Sequence, residues 1–374
     1  MKGENFNISG HKTRVLVAPL EWGLGHATRC IPVINELIRL NCEVFIGAED
    51  ASQALLQKEF PQLTFLQLRG YRMQYSRKKY WLPLKIVFQF PKMIRSIYNE
   101  HRWLKKMIKE KAIEAVISDN RFGLYHSSVP CIYITHQLTI KTGNRFTEWL
   151  AQKIHYHFIN KYSACWVPDA PGEINLAGTL SHPNRFPKTP VQYIGPLSRF
   201  EKNGAEKKYD IVVIISGPEP QRTIFENVLF KAVENYDGKC LFIRGLPEDV
   251  QMHPDSYRDA NMQIEVHNHL SAVELNSAIE QSALVISRSG YTTVMDLVKL
   301  QHKAILIPTP GQTEQEYLAK NLMSKKIIYC VEQNNFSLQE ELKKQTGFAF
   351  SFPSVNQDEY KVVIEKFING LKAG

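Results

Sequence analysis

The sequence predicts an α/β protein of two domains, each a parallel sheet wrapped by helices, with a ligand cleft between them. Three observations carry this expectation. The 374 residues suffice for two cores of ordinary size. Short β-rich apolar runs alternate with helical patterns through both halves, as strand–helix–strand units do. Between 196 and 209 the apolar periodicity gives way to Gly and charge, in Glu201-Lys202-Asn203-Gly204-Ala205-Glu206-Lys207-Lys208, as linkers do.

In the first half, strands are expected at Arg14 to Leu20, Glu43 to Gly47, Thr64 to Leu68, Ala115 to Ser118, Cys131 to Thr135 and Cys165 to Pro168, with helices at Ala27 to Leu40 and Thr147 to Asn160. These make residues 1–195 a Rossmann-like domain. After the linker, residues 210–357 repeat the pattern: strands at Asp210 to Ile215, Lys239 to Arg244, Gln263 to Val266, Leu284 to Ser287, Ala304 to Pro308 and Ile327 to Val331, with helices at Thr223 to Tyr236, Ala272 to Gln281, Thr292 to Leu300 and Thr313 to Lys325. The last segment, 358–374, is an amphipathic helix long enough to cross back onto the first domain. Ligands of such sheets bind outside the carboxyl ends of the strands.

Hydrophobic residues at 44% and charged residues at 22% are the balance of a globular protein and exclude a disordered one. No run approaches the roughly 18 apolar residues of a spanning helix. The polar stretch Met1 to Lys12 lacks the apolar core of a signal peptide, which places the protein on the cytoplasmic side. Six cysteines without a C-x-x-C pair argue against a disulfide framework or a cysteine zinc site. The formal charge of +9 is concentrated: thirteen Lys and Arg fall between Arg69 and Lys111, opposed only by Glu100 and Glu110.

After the first strand comes Glu21-Trp22-Gly23-Leu24-Gly25-His26-Ala27-Thr28-Arg29, a glycine loop opening a helix. Its glycines let backbone N–H groups and the positive helix end approach an anion or a sugar. With Glu49 and Asp50 ending the second strand, the loop is also compatible with a nicotinamide-dinucleotide site, but Thr28 stands where the third glycine belongs. His26, at a helix start in a cleft loop, can take a proton near neutral pH or simply hydrogen-bond the loop. Asp119, ending the strand Ala115 to Ser118, can orient that imidazole or serve as a turn residue.

In the second domain, Ser216 and Gly217 follow a strand and precede a helix, an arrangement that suits a diphosphate. The stretch Ser287-Arg288-Ser289-Gly290-Tyr291-Thr292-Thr293-Val294-Met295-Asp296 runs from a strand into a hydroxyl-rich helix start with a carboxylate one turn inside, presenting donors to phosphate and an acceptor to a ribose diol. Pro308-Thr309-Pro310-Gly311-Gln312-Thr313-Glu314-Gln315-Glu316 adds amides and acids suited to sugar hydroxyls.

On these motifs, Leu270 to Val331 resembles the C-terminal domain of the family 28 glycosyltransferases, which have the GT-B fold of two Rossmann-like domains around a cleft. The resemblance implies a nucleotide-sugar donor, favours uridine as its base, and implies inversion at the anomeric carbon. It sets Ser289, Gly290 and Thr292 against the diphosphate, Ser216 and Gly217 on its other side, and Asp296 against the ribose, with Arg288 also among the donor-binding residues. Gln315 and Glu316, with Gln312, face the donor sugar, and Gly25 lies at the first loop. The pairing of His26 with Asp119 resembles the dyad of plant natural-product glycosyltransferases of the same fold.

The expected activity is therefore transfer of a hexosyl or N-acetylhexosaminyl unit from a nucleotide sugar to a hydroxyl acceptor, with His26 as base and Asp119 aligning it. No D-x-D pair occurs in the chain, so neither metal nor cofactor is expected. The alternating pairs His155/His157 and His267/His269 lack a third ligand. Within the basic stretch, Tyr75, Tyr80, Trp81, Phe88, Phe90 and Tyr98 interleave with the cations, and Ile94, Ile97, Tyr98, Leu104, Met107 and Ile108 share a helix face. This suits an anionic membrane surface and a lipid-linked acceptor, so residues 69–111 are expected to make the protein peripheral; the same helix packed on its own domain is the alternative. No nucleic-acid module accompanies the charge. A nucleotide-sugar 2-epimerase of the same fold, and a non-catalytic nucleotide-sugar or membrane-binding protein, remain as rivals.

Overall fold

The computed structural model describes residues 12–71, 82–246, 263–334 and 336–373. The first half holds β1 (Arg14–Pro19), α1 (Leu24–Arg39), β2 (Glu43–Ala48), α2 (Asp50–Glu59), β3 (Thr64–Gln67), α3 (Leu82–Lys111), β4 (Ala115–Asp119), β5 (Cys131–Ile134), α4 (Arg145–Ile159), β6 (Ala164–Val167) and β7 (Val191–Tyr193). Its seven strands are all parallel, in the order β3-β2-β1-β4-β5-β6-β7. The second half holds β8 (Tyr209–Ile214), α5 (Gln221–Val233), β9 (Cys240–Ile243), β10 (Ile264–His267), α6 (Ala272–Glu280), β11 (Ser282–Ser287), α7 (Tyr291–Leu300), β12 (Ala304–Leu306), α8 (Thr313–Ser324), β13 (Tyr329–Cys330), α9 (Leu338–Thr346) and α10 (Glu359–Ala373). Its six strands are also parallel, in the order β10-β9-β8-β11-β12-β13.

Helices on both faces explain why β1, β4, β5 and β9 read as nearly continuous apolar runs rather than alternating ones: their side chains are buried on both sides. In each sheet the strand order reverses once, between β1 and β4 and between β8 and β11. Loops leaving such a pair diverge to opposite faces and open a crevice at the carboxyl edge, the place where ligands sit. The topology thus singles out the loops after β1 and β4, and after β8 and β11.

The expected elements are present with small shifts, and α2, β7 and α9 are additions. Helix α1 begins three residues before Ala27, at Leu24, after the N-cap Gly23, whose φ of 80° a glycine adopts at no steric cost. Helix α4 begins at Arg145 because the side chain of Asn144 accepts from the amides of Phe146 and Thr147.

The segment 196–208 lacks regular structure but is strapped to the second domain. Asn203 and Gly204 donate backbone N–H to Glu280 Oε1, and Lys207 Nζ donates to the carbonyls of Glu280 and Ser282. Helix α10 lies on α1, with Trp166 and Phe367 edge to face at 5.5 Å. One apolar cluster runs from Ile34 and Leu37 through Val363, Ile364 and Ile368 to Met295 and Val298, so the two sheets share a core.

Helix α3 divides the apolar face expected of it. Ile97, Leu104 and Met107 are buried and Ile108 packs on the core, whereas Ile94 and Tyr98 face solvent. Most of that face is therefore consumed by the domain itself, because a helix covering a parallel sheet must bury its apolar stripe there. Arg72, Arg77, Lys78, Lys79 and Lys85, with Tyr75, Tyr80, Trp81, Phe88 and Phe90, lie outside the residues whose side chains are described. No helix among the described residues is long and apolar enough to cross a membrane.

Candidate functional site

The two carboxyl edges face each other. On the N-terminal side the first turn of α1 carries His26 and β4 ends at Asp119, across the reversal between β1 and β4. His26 Nδ1 lies 3.2 Å from Asp119 Oδ1, with the imidazole 15% exposed and the carboxylate fully buried. Arg29, one turn further along α1, donates from Nε to Asp119 Oδ2 at 2.5 Å and from Nη2 to Oδ1. The same Nη2 is 2.8 Å from His26 Nδ1. An arginine only donates, so that contact is a hydrogen bond only while Nδ1 carries a lone pair, whereas the contact to Asp119 requires a proton there.

The electrostatics follow from this packing. Burial alone would raise the Asp119 carboxyl, but the adjacent Arg29 and His26 outweigh it and hold the group well below the usual carboxylate range. Burial and the Arg29 charge push His26 down, against the opposing pull of Asp119, so the imidazole is neutral near pH 7.

The network continues across the cleft. Arg29 Nη1 is 3.2 Å from His136 Nδ1, and His136 Nε2 is 2.7 Å from Glu314 Oε1 on α8. His136 stacks on Tyr291 at 4.2 Å, and the Tyr291 hydroxyl donates to the Pro168 carbonyl. Thr292 Oγ1 donates to the Gly25 carbonyl at 3.1 Å. A Cβ at position 25 would meet Thr292 Oγ1 at 3.1 Å, a tight contact that glycine avoids.

On the C-terminal side, Ser216 and Gly217 follow β8, and Arg288, Ser289 and Gly290 follow β11, across the second reversal. Gly290 is the N-cap of α7, no side chain caps that helix, and the space where a Cβ would stand is open. Gly217, at φ 108°, is likewise open. An uncapped helix start behind two glycines presents amides and the positive end of the helix to the cleft.

Other expected donor contacts are placed differently. Arg288 is buried, sits over the Phe225 ring at 3.7 Å and donates to the carbonyls of Ile307, Pro308 and Gln221. It braces the loops through three backbone carbonyls. Gln315 Oε1 accepts from the Thr309 amide and Glu316 Oε1 from the Gly311 amide, so both side chains hold their own loop, as Ser289 does through the Gln315 carbonyl. Gln312 is the N-cap of α8 but makes no side-chain cap. Asp296 accepts from Ser198 Oγ at 2.6 Å, and burial raises it to about 6 despite nearby Arg199.

Arg29 and His136 were absent from the sequence-derived site, and Glu314 was read there only as one of the acids suited to sugar hydroxyls. Arg29 stands at i+3 from His26, the spacing of neighbours on a helix face, and His136 follows a strand end just as Asp119 does, so both carried a signal. Their meeting with Glu314, 178 residues from His136, carried none. His155 is buried against Phe122 and Tyr133, and His267 pairs with Glu265. The Glu21, Glu49 and Asp50 carboxylates come within 4.8 Å of one another, but Glu21 accepts from the Glu49 amide and lies 3.6 Å from Arg121.

Two parallel-sheet domains with facing carboxyl edges, one holding a buried acid beside a histidine and the other an open helix start, have the GT-B fold, and the sequence matches make the chain a glycosyltransferase. Residues 211–366 match the family model described as the glycosyltransferase family 28 C-terminal domain. The chain is 23% identical over 367 residues to the UDP-N-acetylglucosamine--N-acetylmuramyl-(pentapeptide) pyrophosphoryl-undecaprenol N-acetylglucosamine transferase of Listeria monocytogenes serotype 4b, covering 93% of this chain and 90% of that one. An uncharacterized glycosyltransferase of Methanosarcina mazei is 23% identical over 317 residues, 79% of each chain. In three dimensions the chain is similar to MurG of Acinetobacter baumannii, with TM-score 0.55, 14% identity and coverage of 97% and 100%. It is also similar to the glycosyltransferase SnogD of Streptomyces nogalater, with TM-score 0.58, 13% identity and coverage of 97% and 95%.

Proposed function

We propose that this glycosyltransferase moves a hexosyl or N-acetylhexosaminyl group from a UDP-sugar to a hydroxyl acceptor with inversion, and needs neither metal nor cofactor. The observation that carries the mechanism is the neutral, cleft-facing His26 beside Asp119, set opposite the uncapped start of α7. With its Nδ1 proton turned to Asp119, His26 takes the acceptor's hydroxyl proton through Nε2. The oxygen attacks the anomeric carbon from the face opposite the leaving group. The bond to the diphosphate breaks, and its electron pair leaves with the nucleotide. Amides at Gly290 to Thr292, with Ser216 and Gly217 opposite, receive that growing charge. Asp296, one turn inside α7, accepts from the ribose hydroxyls once Ser198 yields. This last step supports donor binding, not bond breaking.

A lipid-linked acceptor on an anionic membrane surface fits the exposed cations Lys92, Arg95, Arg102, Lys105 and Lys106 of α3, with Ile94 and Tyr98 beside them. Helix α4, which meets α3 through Phe158 and Ile154 against Ile97 and Met93, adds the exposed Phe146, Trp149 and Leu150. The relatives named for undecaprenol-linked substrates support the same reading.

The test is transfer from a panel of nucleotide sugars to soluble and polyprenyl-diphosphate-linked sugars, with and without EDTA and anionic vesicles. Transfer from UDP-sugars that EDTA leaves unchanged supports the reading. Conversion of the donor alone would instead favour the epimerase, and binding without turnover the non-catalytic protein.

A further inference from the structure

Around His26 there is one charge that a two-residue dyad does not need. Arg29 is 2% exposed, occupies both oxygens of Asp119, and brings Nη2 closer to His26 Nδ1, at 2.8 Å, than Asp119 Oδ1 comes, at 3.2 Å. The negative charge of Asp119 is thus matched before the histidine meets it.

We propose that Arg29 is a positioning residue that sets the protonation state of His26, pairing with Asp119 and facing the Nδ1 edge so that the imidazole stays neutral and able to accept a proton. The proposal rests on His26 being the base of the transfer reaction. A histidine beside a buried, unmatched carboxylate is held as imidazolium, because an opposite charge within about 4–6 Å favours the charged form. An imidazolium has no lone pair for the acceptor's proton. Adding the guanidinium to the pair brings the local charge from negative to zero and removes that bias.

The groups facing His26 come from five places in the fold: α1, β4, the loop after β5, α8 and α7. Arg29 is on its own helix and Asp119 ends β4. His136 follows β5, and Glu314 on α8 is bonded to His136 and lies within electrostatic reach of both His26 and Arg29. Thr292 of α7 is uncharged and is spent on the Gly25 carbonyl. Because Arg29 only donates, His136 Nδ1 accepts from it and His136 Nε2 carries the proton given to Glu314. His136 and Glu314 therefore hold the far side of the guanidinium, leaving Arg29 as the cation in contact with the base. A purely structural Arg29 would require only the bidentate pair with Asp119; the approach of Nη2 to the imidazole edge is the extra feature.

The experiment is the pH dependence of kcat/KM, with a nitrogen-15 titration of the His26 imidazole, for the wild type, Arg29→Met, Arg29→Gln, Arg29→Lys and Arg29→Gln/Asp119→Asn, with His26→Ala as control. Loss of the cation should raise the acidic limb and the imidazole pKa by about one pH unit, so activity at pH values well below both limbs falls about tenfold relative to that at pH 9. Arg29→Gln keeps a donor toward Asp119 and tests the charge if Arg29→Met does not fold. Arg29→Lys should restore the limb, and the double variant should return it to or below the wild-type position, since the carboxylate charge is gone as well. An acidic limb and imidazole titration unmoved in Arg29→Met and Arg29→Gln, with transfer still dependent on His26, would overturn the role of Arg29 and leave the base intact. Full transfer by His26→Ala would instead overturn the base reading itself.

Discussion

At the carboxyl edge of the N-terminal sheet the polar side chains are packed against one another with fixed partners, as in the ion pair of Arg29 and Asp119 with His26 and His136 beside it. At the facing edge of the C-terminal sheet they are glycines, hydroxyls and backbone amides left open at Gly217 and Gly290. The difference corresponds to two tasks. Moving a proton requires a group whose charge state is controlled, and control comes from desolvation and fixed partners. Receiving a diphosphate requires many donors at low strain, and a bare helix start supplies these without a side chain. The charged edge is thus sensitive to single side chains, and the open edge to bulk.

The largest effect is expected from His26→Ala, which should lower kcat for transfer by roughly 10²–10⁴-fold, the usual contribution of a positioned base, with donor affinity retained. Titration of the nucleoside diphosphate by calorimetry alongside turnover separates the two. Asp119→Asn should cost about 3–5 kcal/mol of stability at pH 7, because Arg29 is left as an unmatched buried charge. The Asp119 carboxyl is held below its ordinary value of 3.8, so its contribution is present above that pH and is lost as the pH falls through the folded value. The wild-type advantage over Asp119→Asn in denaturant midpoint should therefore shrink below about pH 4.

On the open edge, Gly290→Val should raise the KM for donor about tenfold with kcat less affected, since a side chain at the α7 start crowds the anion without touching the base. The smallest effect concerns pH. Burial, opposed by Arg121 and reinforced by Glu49, pushes Glu21 up to about 8 from 4.5. A raised carboxyl contributes stability that is present below 4.5 and lost as the pH rises through about 8. Melting temperature should thus decline between pH 5 and 8.5, and Glu21→Gln should flatten that decline. An unchanged slope would show that Glu21 is solvated enough to titrate normally.

Parallel strands buried on both faces leave continuous apolar runs, and the loops that follow them carry Gly, Ser, His and Asp, so β1, β4, β8 and β11 and their loops were legible residue by residue. The dyad could be proposed because strand ends in such sheets share an edge. The placement of Arg288 was not legible: nothing local distinguishes an arginine that binds a ligand from one whose fork is filled by three carbonyls. The apolar stripe of α3 was visible, but its division between core and solvent depends on which strands lie beneath it.

The sequence by itself determined two parallel α/β domains, their linker, the glycine loops and the histidine and acid at strand ends, because periodicity and turn chemistry act over a few residues. Tertiary structure alone decided that Arg29 matches Asp119, that His136 reaches Glu314 across the cleft, and that Gln315 and Glu316 each accept from a backbone amide of their own loop. Those pairings join residues as far as 178 positions apart, or depend on which carbonyl and amide groups packing leaves unsatisfied, and neither is encoded in local spacing.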